Sequence, residues 1–479
     1  MATWIDPKRR AAALAVLDRR IAAAPADVVA RFERACLLAG AGRVEVAKQE
    51  YLALLSHQPG HAGALNNLGA LFAAEGHRRA ARLTYAEAVK HNPDDPMGRV
   101  NLANMLLSLG EAPAARAQYE AALVLDPDQR EAHRGLAQLL SADGDEAAAD
   151  RHRALAFRGR PLTALPYRGK GRPVPLLVLV SARDGNLAYE TVIDDQVFEA
   201  TVLVAEFDEP GLKLPSHRLI LNAIGEADLC QAALEGAARV VARSRAPVIN
   251  KPAAVRVTGR SGNAERLGGL DGVRVPLIRE LPRDAVTAET LLASGFCFPL
   301  LLRAPGFHMG RHFVEVADPM ALAAAMTGLP GKTVMAIEYL DARGADGKAR
   351  KYRVMFVDGR LYPLHLAIAD QWKIHYFSAD MADRPDHRAE EAAFLADLPG
   401  HLGAKAAGAL KRINDALDLD YGGVDFGLSQ GGEILLFEAN ATMIAALPPP
   451  DPIWDYRRAP AEAVREAARR MLRRRAGLI

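Results

Sequence analysis

Asp425, Glu438 and Asn440 stand in the stretch GGVDFGLSQGGEILLFEANATM, residues 422–443. Placing Gly431 and Gly432 in a two-residue turn pairs Gln430 with Glu433, Leu428 with Leu435 and Asp425 with Glu438. Side chains directly opposite lie about 5 Å apart on one face, and Asn440 joins that face by the period of two. Moving the turn to Gln430 and Gly431 shifts the pairing by two residues and leaves all three on one face. Val424, Phe426, Leu435 and Phe437 then take the other, buried face. Two carboxylates so placed repel unless water separates them or a cation joins them. Two acids and an amide are all oxygen donors, a set that suits magnesium, which completes its shell with phosphate oxygens. The alternative is an exposed polar face on which water keeps the acids apart.

The rest of the chain must position such a site. Its 479 residues exceed one ordinary core and call for about three domains. With 60 basic against 58 acidic side chains, the net charge of +2 gives no reason to expect a nucleic-acid partner. Cys36, Cys230 and Cys297 show no CxxC spacing, which argues against a zinc site and for a reducing compartment. The longest strongly apolar run, PLLVLV at 175–180, is strand length, and the N-terminus carries charges through its apolar positions. The expectation is a cytoplasmic protein without signal peptide or membrane segment.

Proline recurs at 25, 59, 93, 127 and 161, glycine at 42, 76, 110 and 144, and tyrosine at 51, 85 and 119, all in steps of 34. That is the period of a helix–turn–helix repeat. In AGALNNLGALFAAEGHRRAARLTYAEAVKHNP, small Gly69, Ala81 and Ala88 let two helices approach while Leu65, Leu68, Phe72 and Tyr85 fill between them. The pattern resembles the tetratricopeptide repeat, with units near 28–61, 62–95, 96–129 and 130–161 in a region 1–160. Arg34 and Arg153, at expected apolar positions of the outer units, suit capping repeats that face water. The resemblance implies a concave face for a peptide or protein, with Asn66, Asn67, Asn101, Asn104, Arg134 and Gln138 projecting into it unless they are solvated or locally satisfied.

Residues 161–173, rich in Pro, Gly and Arg, read as a linker with no hydrogen-bond ladder. LLVLVS, EATVLVAEF and HRLILNAI then read as strands, with a helix over EADLCQAALEGAARVVARS, as in an α/β unit. VRVPLIREL, FPLLLRA, HFVEVA, TVMAIEYL, ARKYRVMFVDG and RLYPLHLAI read as further strands of an α+β module. The C-terminal AEAVREAARRMLRRRAGLI is a basic amphipathic helix, suited either to a solvated face or to an acidic or lipid surface.

Asp, then about a dozen residues, then Glu-x-Asn closing a strand, resembles the metal signature of ATP-grasp enzymes such as glutathione synthetase and the ribosomal-protein glutamate ligase. The resemblance covers roughly 173–450 and implies a multidomain fold. An all-α repeat solenoid would be followed by an α/β pre-ATP-grasp domain at 174–250 and an α+β ATP-grasp domain at 251–479, with subdomains near 251–337 and 338–479. APVINKPAAV is similar to the opening of the first subdomain, and FPLLLRAPGFHMGRHFVEV to its strand, phosphate-covering loop and strand, with Gly306 and Gly310 in the loop. AIEYL is similar to the hinge whose backbone, here Glu338 and Leu340, reads adenine. KYRVMFVDGRLYP is similar to the strand that carries an arginine toward phosphate and substrate, here Arg353. Arg260 and Arg303 stand where lysines usually contact phosphate; arginine keeps the charge on a wider fork.

The resemblance implies ATP and magnesium, or manganese, with Asp425, Glu438 and Asn440 as metal ligands. It further implies a ligase joining a small-molecule carboxylate and an amine through an acyl phosphate. In LHLAIADQWKIHYFSADM, His365, Trp372, Lys373, His375 and Tyr376 follow the arginine strand near an acceptor pocket. Lys373 suits the acyl phosphate and His375 the amine proton. Two other readings remain: a non-catalytic tetratricopeptide scaffold with a degenerate ATP-grasp fold, and a small-molecule kinase.

Overall fold

The computed structural model describes residues 7–305, 311–374 and 379–479. The chain divides into two compact units, one running to Pro173 and the other from Val174 to Ile479, with the short segments Asp195–Glu199 and Glu209–Gly211 grouped with the first.

The first unit is a helical solenoid of nine α-helices among the described residues. After Pro7–Ala23, the leading helices of four pairs begin at Val28, Ala62, Pro96 and Arg130, reproducing the step of 34. Each pair turns at a left-handed glycine, Gly42, Gly76, Gly110 or Gly144, with φ of 74° to 86°. A Cβ on Gly135 would stand 2.2 Å from the Tyr119 ring, so the tyrosine of one repeat packs directly on the helix backbone of the next. Asp27, Asp95 and Asp145 cap helix N-termini by accepting from backbone N–H groups.

Neither capping arginine faces water freely. Arg153 is only 6% exposed and paired to Glu146 at 3.0 Å and Asp150 at 2.6 Å. Arg34 is held between Asp18 and Glu50, each at 2.7 Å. Acidic neighbours, one of them on the extra helix Pro7–Ala23, neutralise charges that the spacing alone assigns to solvent. In the expected linker, Leu162–Ala164 forms a short strand despite the surrounding prolines.

The second unit contains three sheets. In the first, Phe198–Val204, Val174–Val180, Leu219–Asn222 and Val248–Ile249 lie in that order, the last three mutually parallel. A four-stranded antiparallel sheet follows the order Ile278–Pro282, Thr333–Glu338, Leu300–Arg303, Phe313–Val316. A larger sheet has the order Arg360–Ala369, Ala349–Val357, Tyr421–Leu428, Ile434–Asn440, Val273–Arg274. VRVPLIREL is therefore two strands in two sheets. Pro276 has no N–H to give a ladder, and the Leu277 N–H donates to the Glu338 side chain at 3.0 Å instead.

Asn250, with φ of 56°, joins the parallel sheet to the larger one. Its Oδ1 accepts from Tyr421 N at 2.9 Å and its Nδ2 donates to Tyr421 O at 2.8 Å, so one side chain stands in for a strand partner just before Asp425. The basic helix Arg458–Arg475 buries Val464, Ala468, Met471 and Leu472. Arg473 pairs with Asp194, Arg474 with Asp358 and Arg475 with Asp420, so its last-turn charge is matched within the fold. No helix among the described residues is long and apolar enough to cross a membrane.

Candidate functional site

The hairpin that carries the acids pairs Asp425 with Glu438, Val424 with Ala439 and Gly423 with Asn440. It reaches that register by two departures that cancel. The loop has three residues, Gln430 to Gly432, closed by Ser429 N donating to Glu433 O at 3.0 Å, with Gly432 at φ 72°. Leu428 therefore pairs with Ile434, one residue off the expected register, and a bulge at Phe437 restores the count before Glu438. The bulge turns Phe437 out to 37% exposure, so it does not join Val424, Phe426 and Leu435 in the core.

Asp425 is 1% exposed, and its charge is met by side chains. Arg353, its register partner on Ala349–Val357, forks onto it with Nε–Oδ1 at 2.5 Å and Nη2–Oδ2 at 2.8 Å. Lys351, two residues earlier on the same face, places Nζ 2.7 Å from Oδ2. Burial alone would raise the Asp425 pKa, but Arg353 and Lys351 outweigh it and hold the carboxyl well below its usual range. Repulsion between the two acids is thus relieved by cations that the neighbouring strand supplies.

Glu438 Oε1 accepts from Asn440 Nδ2 at 3.0 Å and lies 4.0 Å from Arg260 Nη2. Asn440 Oδ1 accepts from Thr442 N at 3.0 Å and Thr442 Oγ1 at 2.9 Å. Glu226 stands beside this group; burial, then the charges of Glu438 and Asp228, raise its pKa. Arg260 N donates to Asp228 Oδ2 at 3.2 Å.

A cavity of about 330 Å³ opens over the hairpin, lined by residues from the four-stranded and the larger sheet. Arg260, Arg303, Glu338, Leu340, Arg353, Lys373, Asp425 and Glu438 all border it. Leu301, Ile337, Leu436 and Phe437 give it an apolar wall. Arg303 lies 5.7 Å from the Phe313 ring centre, and burial, then Arg260, push its pKa down to about 10, which leaves it charged at neutral pH. Trp372 stands edge-on to Phe313 at 5.4 Å and to Tyr339 at 6.4 Å. Lys373 Nζ donates to Phe313 O at 3.1 Å. Five cationic side chains face three carboxylates around this space, a surplus suited to a polyanion.

Glu338 turns its carboxylate to Arg274 at 2.6 Å and Leu277 N at 3.0 Å, and its own N–H donates to Leu277 O at 2.8 Å. Its side chain thereby ties the end of Thr333–Glu338 to Arg274 and Leu277. Leu340 clusters with Ala342 and Leu435. His365 does not border the cavity but is buried opposite Arg353 in the sheet, where burial and that arginine keep its pKa well below the ordinary value. Gly306, Gly310, His375 and Tyr376 lie outside the described residues.

Lys351, Tyr339, Phe313 and Glu226 complete this neighbourhood without having been singled out from sequence. Lys351 was legible through its spacing from Arg353; Glu226 comes from a loop of another sheet and has no local signal. In the solenoid, Asn66 accepts from Asn101 at 3.0 Å, Asn67 donates to Tyr51 at 3.1 Å and Asn104 accepts from Tyr119 at 2.6 Å. These amides are locally satisfied, whereas Arg134 and Gln138 are exposed.

The donor chemistry fits a hard divalent ion. Asp425 and Glu438 oppose each other in register with an amide alongside, a set of oxygen donors, while Lys351 and Arg353 stand on Asp425. Among the described residues no group of three His, Cys, Asp or Glu side chains could hold a metal, so a metal at this place would need the amide or an added ligand.

The family model for the tetratricopeptide repeat matches residues 70–130 and 100–150. No curated protein matches the chain. Among solved structures, MamA from Desulfovibrio magneticus RS-1 is 19% identical over 31% of this chain and 84% of its own, with a TM-score of 0.29. PilF of Pseudomonas aeruginosa is 19% identical over 31% and 74%, at 0.28. A thermophilic TPR protein of Thermus thermophilus is 24% identical over 31% and 82%, at 0.27. The family match and the 34-residue helix pairs identify the N-terminal solenoid as tetratricopeptide repeats, an architecture suited to binding peptides or proteins.

Proposed function

We propose that the second unit is an ATP-dependent carboxylate–amine ligase of the ATP-grasp kind, and that the repeats recruit its peptide or protein substrate. The observation that carries this reading is one cavity bordered by seven of the residues that the ATP-grasp resemblance names, with Lys373 beside them. The apolar wall suits an adenine ring, with the Glu338 carbonyl and the Leu340 N–H as its edge partners. Arg260, Arg303, Lys351 and Arg353 suit the phosphates. Asp425, Glu438 and Asn440 would hold magnesium, whose contribution when bound is to neutralise phosphate charge.

In this reading a substrate carboxylate oxygen attacks the γ-phosphorus, an acyl phosphate forms and ADP leaves. The amine nitrogen then attacks the acyl carbon, inorganic phosphate leaves and the amine proton passes to a base. Arg303 and Arg353 offset charge on the moving phosphoryl group. Trp372 with Phe313 and Tyr339 shields that wall of the cavity from water. No side-chain nucleophile is needed.

Phosphorus NMR of ATP with the full chain, a carboxylate and an amine tests the reaction. ADP and inorganic phosphate appearing only with both substrates is the expected result; a stable phosphorylated product would mean a kinase. Mass spectrometry of material that copurifies with the repeats supplies the substrates to try. One feature favours the scaffold reading instead: Asp425 is already neutralised by Lys351 and Arg353. ATP turnover abolished by Asp425→Ala would remove it.

A further inference from the structure

We propose that Lys351 and Arg353 form a latch on Asp425, so that this sheet edge takes a divalent cation only together with a polyphosphate. The nucleotide reading above supplies the identity of the polyanion; the latch itself rests on the geometry of the strand pair.

Asp425 is almost sealed from solvent and borders the cavity, so a metal ion must reach it from that side. There Oδ2 receives Lys351 Nζ at 2.7 Å and Arg353 Nη2 at 2.8 Å, while Oδ1 receives Arg353 Nε at 2.5 Å. The Asn440 amide does not lessen the obstacle: its Oδ1 already accepts twice from Thr442, and its Nδ2 points at Glu438. Arg260 stands 4.0 Å from Glu438. A lone dication therefore meets cations on both acids and must break charge-assisted bonds to reach Asp425.

A polyphosphate changes the balance. Its oxygens accept from Lys351 and Arg353, which releases the Asp425 oxygens, and its charge outweighs the cationic surplus of the cavity. Metal and polyphosphate then favour each other, and linkage requires the same factor in both directions. Lys351 is a positioning residue in this scheme. Removing it takes away one of the two cations on Oδ2 while Arg353 still forks onto both oxygens, so Lys351→Met weakens the latch without the collapse of the whole ion-pair group.

The test is Mn2+ binding to the full chain without nucleotide, followed by electron paramagnetic resonance. Wild type is expected to show only weak, millimolar binding, and Lys351→Met a gain of roughly tenfold or more, lost again when Asp425→Asn is added. Wild type binding Mn2+ as tightly as Lys351→Met overturns the latch, and so does a folded Lys351→Met that binds no Mn2+. If Lys351→Met does not give a wild-type circular dichroism spectrum, Lys351→Gln carries the same expectation. ADP affinity in EDTA, measured on the same preparations, keeps the two claims apart. ADP binding without the Mn2+ gain leaves the nucleotide reading and removes the latch. The Mn2+ gain without ADP binding leaves the latch and removes the nucleotide reading.

Discussion

Asp425 is the residue on which the site turns, because a buried carboxylate persists as an anion only when its surroundings supply positive charge. Here Arg353 and Lys351 supply it at 2.5 to 2.8 Å. Asp425→Asn leaves two cationic side chains facing a neutral amide. It should destabilise the second unit by about 3 kcal/mol, as breaking one side of a buried ion pair does, readable in urea unfolding. The same variant should bind inorganic tripolyphosphate more tightly in EDTA, since losing the Asp425 charge enlarges the cationic surplus of the cavity; weaker binding would contradict this balance of charge. At this scale the sequence shows the pairing of Asp425 with Glu438 and the placing of Arg353 plainly, because strand period and register are local rules. It does not show Phe437 turned outward, because a three-residue loop and a bulge that cancel leave the pairing of the two acids unchanged.

At the scale of elements, the repeat step predicts helix pairs that begin within a residue or so of where they form. Tyr119 packs on Gly135 at the junction of two repeats. Gly135→Ala should destabilise the solenoid by about 1–3 kcal/mol through overpacking against Tyr119, seen as a lowered urea midpoint; an unchanged midpoint would deny the contact. The last repeat also holds His133 and His152 with their Nδ1 atoms 2.8 Å apart, a pair in which one ring donates and the other accepts. Burial, then His133, Arg151 and Arg116, lower the His152 pKa below 6.5, with Glu120 opposing. A histidine whose folded pKa is depressed stabilises the fold in its neutral form. The stabilisation is present above the unfolded pKa and is lost as pH falls below about 6.5 toward the folded value. Repeat stability should therefore fall between pH 7 and pH 5, and His152→Gln should flatten that slope. The split of VRVPLIREL between two sheets lies beyond period-based reading, because Pro276 marks a break without saying which sheet each half will join.

At the scale of the whole molecule, the chain combines a repeat solenoid with a unit whose four-stranded and larger sheets border one cationic cavity. The larger sheet is fastened by a buried group: Glu391 accepts from Arg457 Nη2 at 2.5 Å, Arg457 Nε at 2.9 Å, Tyr456 at 2.5 Å and Leu366 N at 3.2 Å. Glu391→Ala leaves Arg457 buried without that charge and should cost about 3–5 kcal/mol, measured as a lowered thermal transition. Through its resemblance to ATP-grasp enzymes the sequence named Arg260, Arg303, Glu338, Leu340, Arg353, Asp425 and Glu438 on the cavity wall, but not Glu391 or Glu226. Residues whose partners lie on distant elements leave no pattern in a single chain.

Isothermal titration of the full chain with ADP tests most directly whether this cavity binds a nucleotide through its arginines. Saturable one-to-one binding that weakens at least tenfold in Arg303→Ala is the expected result, consistent with the about 1.5–3 kcal/mol that a hydrogen bond to a charged group contributes. No binding of ADP or ATP, with or without magnesium, or binding unchanged in Arg303→Ala, would contradict it.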